Sequence, residues 1–416
     1  MRDTARPNAA LTTLCVCAYL AFSLQQVVIG HGLAVGLSLG SMLLRAFALC
    51  TSAWMLWHHG VPKVLRGPAW AIALCLVVLV VSTLTSPRLG IALRFAPRYG
   101  LELLLLWSML NLCVAFPAFA RAAALASVVI LWLGLLLGLA VHLDAPGARP
   151  AALLFYPQET LDRYLPRSSG LYEHPALFAA TAVMSLAMAL HLRNLHGCSR
   201  GTLLLALVGC LLALLASGAR NPLLGLGVLA LAVSWRVRGR PYARRFAIVA
   251  GLVLALLVAW ITFDRLAELT SATHESSLTA FTLGRTYIWA AAWQAWLSHP
   301  LFGLGSGVFQ FLLPDFAGGR FPRGELHAHN LLLALLSELG LAGAFGFIAL
   351  GLALWRPWLA PATPGRGWAL VTLLVLLAFG LFDYYVPFYC FALHATLMVG
   401  LLYARLGQPQ AGTPWP

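Results

Sequence analysis

The residues best suited to chemistry are one histidine and two arginines, each at the edge of an apolar run. In HAHNLLLALLSELGLAG, His329 and Asn330 open a long apolar helix. A helix N-terminus carries partial positive charge, which disfavours a second proton on a nearby imidazole and leaves it able to accept one. The same end, with its unpaired N–H groups, is a place where phosphate binds. A neutral base beside an anion is what activation of a hydroxyl nucleophile needs. In SGAR, Arg220 occupies a tight connection between two apolar runs, where an arginine can also simply snorkel from a helix end. In LGR, Arg285 falls in the first turn of a predicted helix. A cation there opposes the helix dipole, and a bound phosphate would compensate it.

Further polar residues gather around these three. His327 precedes the helix and is expected to shape the loop. Arg88, Arg94, Arg98 and Arg167, with Tyr172 and His174 in RSSGLYEHPALF, are possible additional substrate contacts, as are His327 and Asn330. Arg98 and Glu102 are four residues apart and are expected to pair as scaffold. Glu338, deep in the His329 helix, should face the protein interior and find a partner there. Several chemistries are missing. The chain has no HExxH, Walker loop or CxxC, and no DxD or carboxylate cluster in its loops for a divalent cation. GLGSG at 303–307 is a weak phosphate-loop cue and reads better as a flexible turn. No metal or cofactor is expected, so cationic side chains must neutralise any phosphate leaving group.

The elements that position these residues must be membrane helices. Of 416 residues, 61% are hydrophobic and only 10% charged, whereas a soluble domain needs roughly a quarter charged. At about 20 apolar residues per span there is room for roughly a dozen. Apolar runs predict spans at 11–30, 33–57, 69–86, 99–118, 122–143, 174–194, 201–217, 221–236, 245–263, 329–354, 368–385 and 387–405. The expected fold is therefore all-α: one polytopic membrane domain over 1–416. Two larger loops, 144–173 and 264–328, interrupt it, the second with a surface helix at about 284–299. Trp289, Trp293 and Trp296 would form an aromatic stripe on that helix, suited to the membrane interface.

The net charge of +14 comes from 27 Lys+Arg against 13 Asp+Glu, and Lys63 is the only lysine. Arginine suits forked hydrogen bonding to phosphate, although genome base composition also favours it. The cluster WRVRGRPYARR orients the chain with both termini in the cytoplasm. Orientation alone would leave the opposite face poor in positive charge. Yet Arg88, Arg94, Arg98, Arg149, Arg163, Arg167, Arg220, Arg265, Arg285, Arg320 and Arg323 all fall there. An anionic ligand on that face, lipid-borne rather than nucleic acid, is the simplest cause. None of the eight cysteines lies in the larger loops, so no disulfide framework is implied. A transporter would be expected to carry two related halves with charges at mid-membrane; here the halves differ and the polar residues collect at one face.

The pattern resembles the O-antigen ligase family, within the superfamily that also holds O-antigen polymerases. The motif is a histidine, then Asn/Ser/Gln, nine residues, Gly, two residues, and Gly/Thr/Tyr; His329, Asn330, Gly340 and Gly343 fit it without a gap. SGAR around Arg220, LGR at Arg285 followed by HPLFGLGSGVF, and GLYEHPALFA agree with it. The resemblance implies a GT-C-like, metal-independent, inverting glycosyltransferase of lipopolysaccharide biosynthesis in the bacterial inner membrane, with its active site facing the periplasm. Its donor would be undecaprenyl-pyrophosphate-linked O-antigen and its acceptor lipid A–core. His329 corresponds to the general base, and Arg220 and Arg285 to the pyrophosphate-binding arginines. A polymerase with the same donor, or a flippase of the lipid-linked glycan, is the alternative.

Overall fold

The computed structural model describes residues 60–153, 167–172, 174–193, 198–236, 285–319, 327–359, 365–382 and 389–406, with isolated positions between them. Among these residues the α-helices are α1 (Arg66–Leu84), α2 (Leu89–Ala115), α3 (Pro117–His142), α4 (Ala148–Ala152), α5 (Pro175–His191), α6 (Arg200–Ser217), α7 (Asn221–Arg236), α8 (Arg285–Ser298), α9 (Phe309–Phe316), α10 (Leu331–Trp355), α11 (Arg366–Phe382) and α12 (Tyr389–Leu406). Among the described residues, five helices are long and apolar enough to cross a membrane: α1 (with the turn before it), α2, α3, α6 and α10 (with the turn after it). α5, α7, α11 and α12 are shorter apolar helices. The protein is a multi-pass helical membrane protein. The expected span at 11–30 lies outside the described residues, and those at 33–57 and 245–263 almost entirely so.

Helix ends follow the residues that can stop or start them. Pro117 opens α3, Ser199 caps α6 by accepting from the Thr202 N–H at 3.0 Å, and Gly218 ends α6 in a left-handed conformation (φ +57°). One boundary differs from the sequence reading. α2 begins at Leu89, ten residues before the expected span, so Arg94 and Arg98 lie on its first turns rather than in a loop. Those turns are amphipathic, and a search for apolar runs misses a helix whose outer turns carry arginines.

The principal core joins α2, α3, α5, α6, α7, α11 and α12, with Phe119, Phe178, Phe379 and Tyr403 fully buried. α5 is buried along almost its whole length, the signature of a helix surrounded by protein rather than lipid. By contrast, α3 and α6 leave Val129, Leu133, Leu136, Leu204 and Leu212 exposed, as lipid-facing helices should. A smaller cluster, centred on Ile288, Ala292, Leu304, Val308, Phe309 and Ala334, binds α8, α9 and the loop between them to the first half of α10.

Candidate functional site

α10 is broken. Gly340 has φ +67° and ψ −163° inside an otherwise helical run. In a continuous helix the Ser337 and Glu338 carbonyls would accept from Leu341 and Ala342. Instead they accept from the N–H groups of Leu304 and Gly305, each at 2.9 Å. Leu341 and Ala342 in turn donate to the carbonyls of Pro300 (2.9 Å) and Leu301 (3.0 Å). The 300–305 segment thus takes over the bonds that the break releases. Within a membrane each unsatisfied backbone group would cost several kcal/mol. The break lies about nine residues past the helix start, roughly 14 Å into the bundle.

The residue types at the crossing follow from that exchange. A Cβ at Gly340 would collide with the Leu301 carbonyl, and one at Gly303 with the backbone of Glu338. Ser82 of α1 donates to the carbonyls of Phe302 (2.7 Å) and Glu338 (3.0 Å). The Glu338 side chain is 2% exposed, and its Oε2 accepts from the Tyr99 hydroxyl at 2.7 Å and the Gly307 N–H at 2.9 Å. Glu338 therefore ties the α10 break to α2 and to the crossing segment. The partner expected for it exists, but neither Tyr99 nor the break was legible beforehand. GLGSG is neither a phosphate loop nor a free turn: it is the strap that crosses α10.

The first half of α10, Leu331–Leu339, is in effect a short helix with its own anchorage, and His329 and Asn330 stand at its N-terminus. Asn330 is the cap: its Oδ1 accepts from the Leu333 N–H at 3.0 Å, while its Nδ2 donates to the Leu381 carbonyl at 2.8 Å. One side chain thus fixes the start of α10 against the end of α11. His329, just outside the cap and half-buried, has φ +48°. That conformation is uncommon for a residue with a side chain, though histidine tolerates it better than most, and strain of this kind gathers at functional positions.

Two further helices begin at the same end. Gly218 closes α6, and Arg220 precedes α7, its carbonyl accepting from the Leu223 N–H at 3.0 Å. Phe379 of α11 packs against Gly225 in the early turns of α7, and Leu331 packs against Gly380 of α11. The starts of α7 and α10 therefore flank the same end of α11. Arg285, half-buried, is the first residue of α8. α8 delivers the chain to Pro300 and Leu301, level with Leu341 and Ala342, and packs Ile288, Ala291 and Ala295 in the cluster with Ala328 and Ala334. It runs alongside the first half of α10, with Arg285 at the His329 end. Its tryptophans lie away from that alanine face: Trp293 is 45% exposed and stacks edge-on with Trp296 at 4.6 Å, whose indole N–H donates to the Pro300 carbonyl at 3.1 Å.

The other polar residues take different places. Arg88 stands at the start of α2, exposed, and Arg94 is exposed one turn on. Arg98 is half-buried and interacts electrostatically with the buried Glu102. These turns of α2 border the strap, where Phe95 meets Phe311 at 5.7 Å and Ser306 donates to the Ala92 carbonyl at 3.4 Å. Arg167 donates from Nε to the Ser217 carbonyl at 2.7 Å, a cation on the C-terminal end of α6. His174 caps α5, its Nδ1 accepting from the Ala176 N–H at 3.1 Å. Tyr172 is a core residue, 2% exposed, against Phe178 and His394. His327 is half-buried and adjoins the buried Ala328 in the approach to α10.

No curated protein compared with the chain matches it. Residues 205–348 match the family model described as O-antigen ligase, a stretch that runs from α6 to the second half of α10. It contains Arg220, Arg285, the strap, His329 and the break at Gly340. Over that stretch, about a third of its length, the chain is similar to the O-antigen ligase family.

Proposed function

We propose that the protein ligates O-antigen from undecaprenyl pyrophosphate onto a sugar hydroxyl of lipid A–core, at the periplasmic face of the bacterial inner membrane. It does so as a metal-independent, inverting glycosyltransferase. One observation carries the reading: three helices, α7, α8 and α10, start at one end of the bundle, with Arg220, Arg285 and His329 at those starts. Half-helix N-termini within a membrane are suited to anionic ligand groups, and the break at Gly340 makes the start of α10 such a half-helix.

The chemistry assigns one role to each group. His329 takes the proton of the acceptor hydroxyl as its oxygen attacks the anomeric carbon of the donor. The new glycosidic bond forms on the face opposite the leaving group, which inverts that carbon. The bond from the anomeric carbon to the diphosphate oxygen breaks, and its electron pair leaves with the diphosphate. Arg220 and Arg285, as forked cations, hold that charge. Asn330 acts through the helix it caps.

The test is transfer by purified protein from lipid-linked O-antigen, with lipid A–core supplied or withheld, in buffer containing a chelator. Glycan on lipid A–core is the expected product. His329→Ala should lower its rate roughly 10²–10⁴-fold, the usual contribution of a general base, while the variant still inserts and binds donor. Glycan that lengthens on its lipid carrier without lipid A–core would make the protein a polymerase. Movement of the lipid between leaflets without bond transfer would make it a transporter. Wild-type rates in His329→Ala would remove the base from the mechanism.

A further inference from the structure

A second polar feature lies on the lipid-facing side of α3 and α6. A cavity of about 490 Å³ runs along α3 from Trp132 to His142 and is walled on its other side by Leu212, Leu215 and Ala216. Ten helical rises make it roughly 15 Å long, the depth of one leaflet. Leu136, Leu139, Leu212 and Leu215 are exposed along it, so the slot opens sideways into hydrocarbon. Its upper part is made by irregular backbone. Ser168 lies so close to Gly138 that any Cβ there would strike its hydroxyl. The Ser168 N–H donates to the Ala216 carbonyl at 2.8 Å, and Arg167 Nε to the Ser217 carbonyl at 2.7 Å. Irregular backbone at membrane depth is tolerated where it is buried in protein or lines a cavity. Here it brings a guanidinium, the Ser168 and Ser169 side chains and His142 to the head of an apolar slot.

We propose that this groove binds an anionic phospholipid of the surrounding bilayer, with one acyl chain along α3 and the head phosphate at Arg167. Length and charge both select that occupant. The slot accommodates a chain of one leaflet's depth, and Arg167 with His142 supplies the cationic or titratable lining. Among the described residues lining the slot, the one guanidinium matches the single negative charge of a phosphodiester, whereas a diphosphate head calls for more. Because Arg167 is bonded to Ser217, three residues before Arg220, a lipid held there braces the connection that carries Arg220. Binding itself does not depend on what reaction the protein performs.

The test is lipid retention by the full-length protein, measured by native mass spectrometry with phosphatidylglycerol or phosphatidylcholine added at equal concentration. Phosphatidylglycerol should be retained roughly fivefold better, the effect of about one cation near a membrane surface. Arg167→Gln should remove the preference but leave both lipids bound. Leu212→Trp, which fills the slot from an exposed position, should remove both while Arg167 stays in place. Equal retention of the two lipids by the unaltered protein, or a preference that survives Arg167→Gln, would overturn the proposal. So would displacement of phosphatidylglycerol by equimolar undecaprenyl phosphate, which would assign the groove to the polyprenyl chain.

Discussion

The bundle around α5 and the region around the first half of α10 are built on opposite terms. α5 is an uninterrupted helix, buried from Pro175 to Ala189, and its own side chains, Met184 and Met188 among them, pack in one apolar core with Phe119 and Leu393. Its backbone needs nothing from the rest of the protein, and its place is set by volume. In α10 the backbone itself is shared. Four of its hydrogen bonds run to the strap at 300–305, the contacts that matter are main chain against glycine, and polar side chains sit at membrane depth. Packing can hold helices together anywhere in such a bundle. Opening a helix in mid-membrane takes a second segment able to satisfy the released groups, and in this protein that segment adjoins the helix starts bearing Arg285 and His329.

That contrast makes Gly340 the most sensitive position of the strap region. Gly340→Val should strain a left-handed residue and drive a side chain into the Leu301 carbonyl. It should cost more than the roughly 1–3 kcal/mol of a strained backbone alone and remove most folded protein, as read by yield and thermal unfolding in detergent. Gly351→Ala lies in the same helix with open space around it and should be neutral or slightly stabilising, since alanine is the better helix former. If the two variants unfold at the same temperature, the strap is not what holds α10.

Arg220→Lys should separate site from scaffold. It keeps the charge but loses the fork, so transfer should fall about tenfold, the order of one or two hydrogen bonds to a charged group, with the unfolding temperature unchanged. Full activity would reduce Arg220 to a point charge. A smaller effect is expected at the cap. Asn330→Ala loses the bonds to Leu333 and Leu381 and should cost about 0.5–2 kcal/mol. Asn330→Asp should recover the bond to the Leu333 N–H but not the one to the Leu381 carbonyl. If Asn330→Ala were as stable as the unaltered protein, the start of α10 would be held by the strap alone.

Much of this was legible in the residues. Long apolar runs announce membrane helices because hydrocarbon admits little else, and the runs at 122–143, 201–217 and 221–236 correspond closely to α3, α6 and α7. His329, Arg220 and Arg285 could be singled out because each sits where an apolar run begins or ends, and helix-end physics is local. Other roles were hidden. Tyr172 looked like a loop residue open to ligand and is a core residue. α2 started early because amphipathic turns resemble a loop when only hydrophobic runs are sought. The glycines at 303–307 signalled an unusual backbone without saying against what.

The sequence by itself determined that the chain is a helical membrane protein, where most described spans lie, and which residues stand at the arginine-rich ends of those spans. Composition and periodicity are enough for this, because each depends only on neighbours along the chain. Only the tertiary structure decided that α10 is two half-helices, that Glu338 belongs to Tyr99 and Gly307, and that Arg167 closes α6. Those outcomes depend on which polar groups find each other, across 256 residues in the bond from the Ser82 hydroxyl to the Glu338 carbonyl. A hydrogen bond between segments so far apart in the chain leaves no pattern in either segment alone.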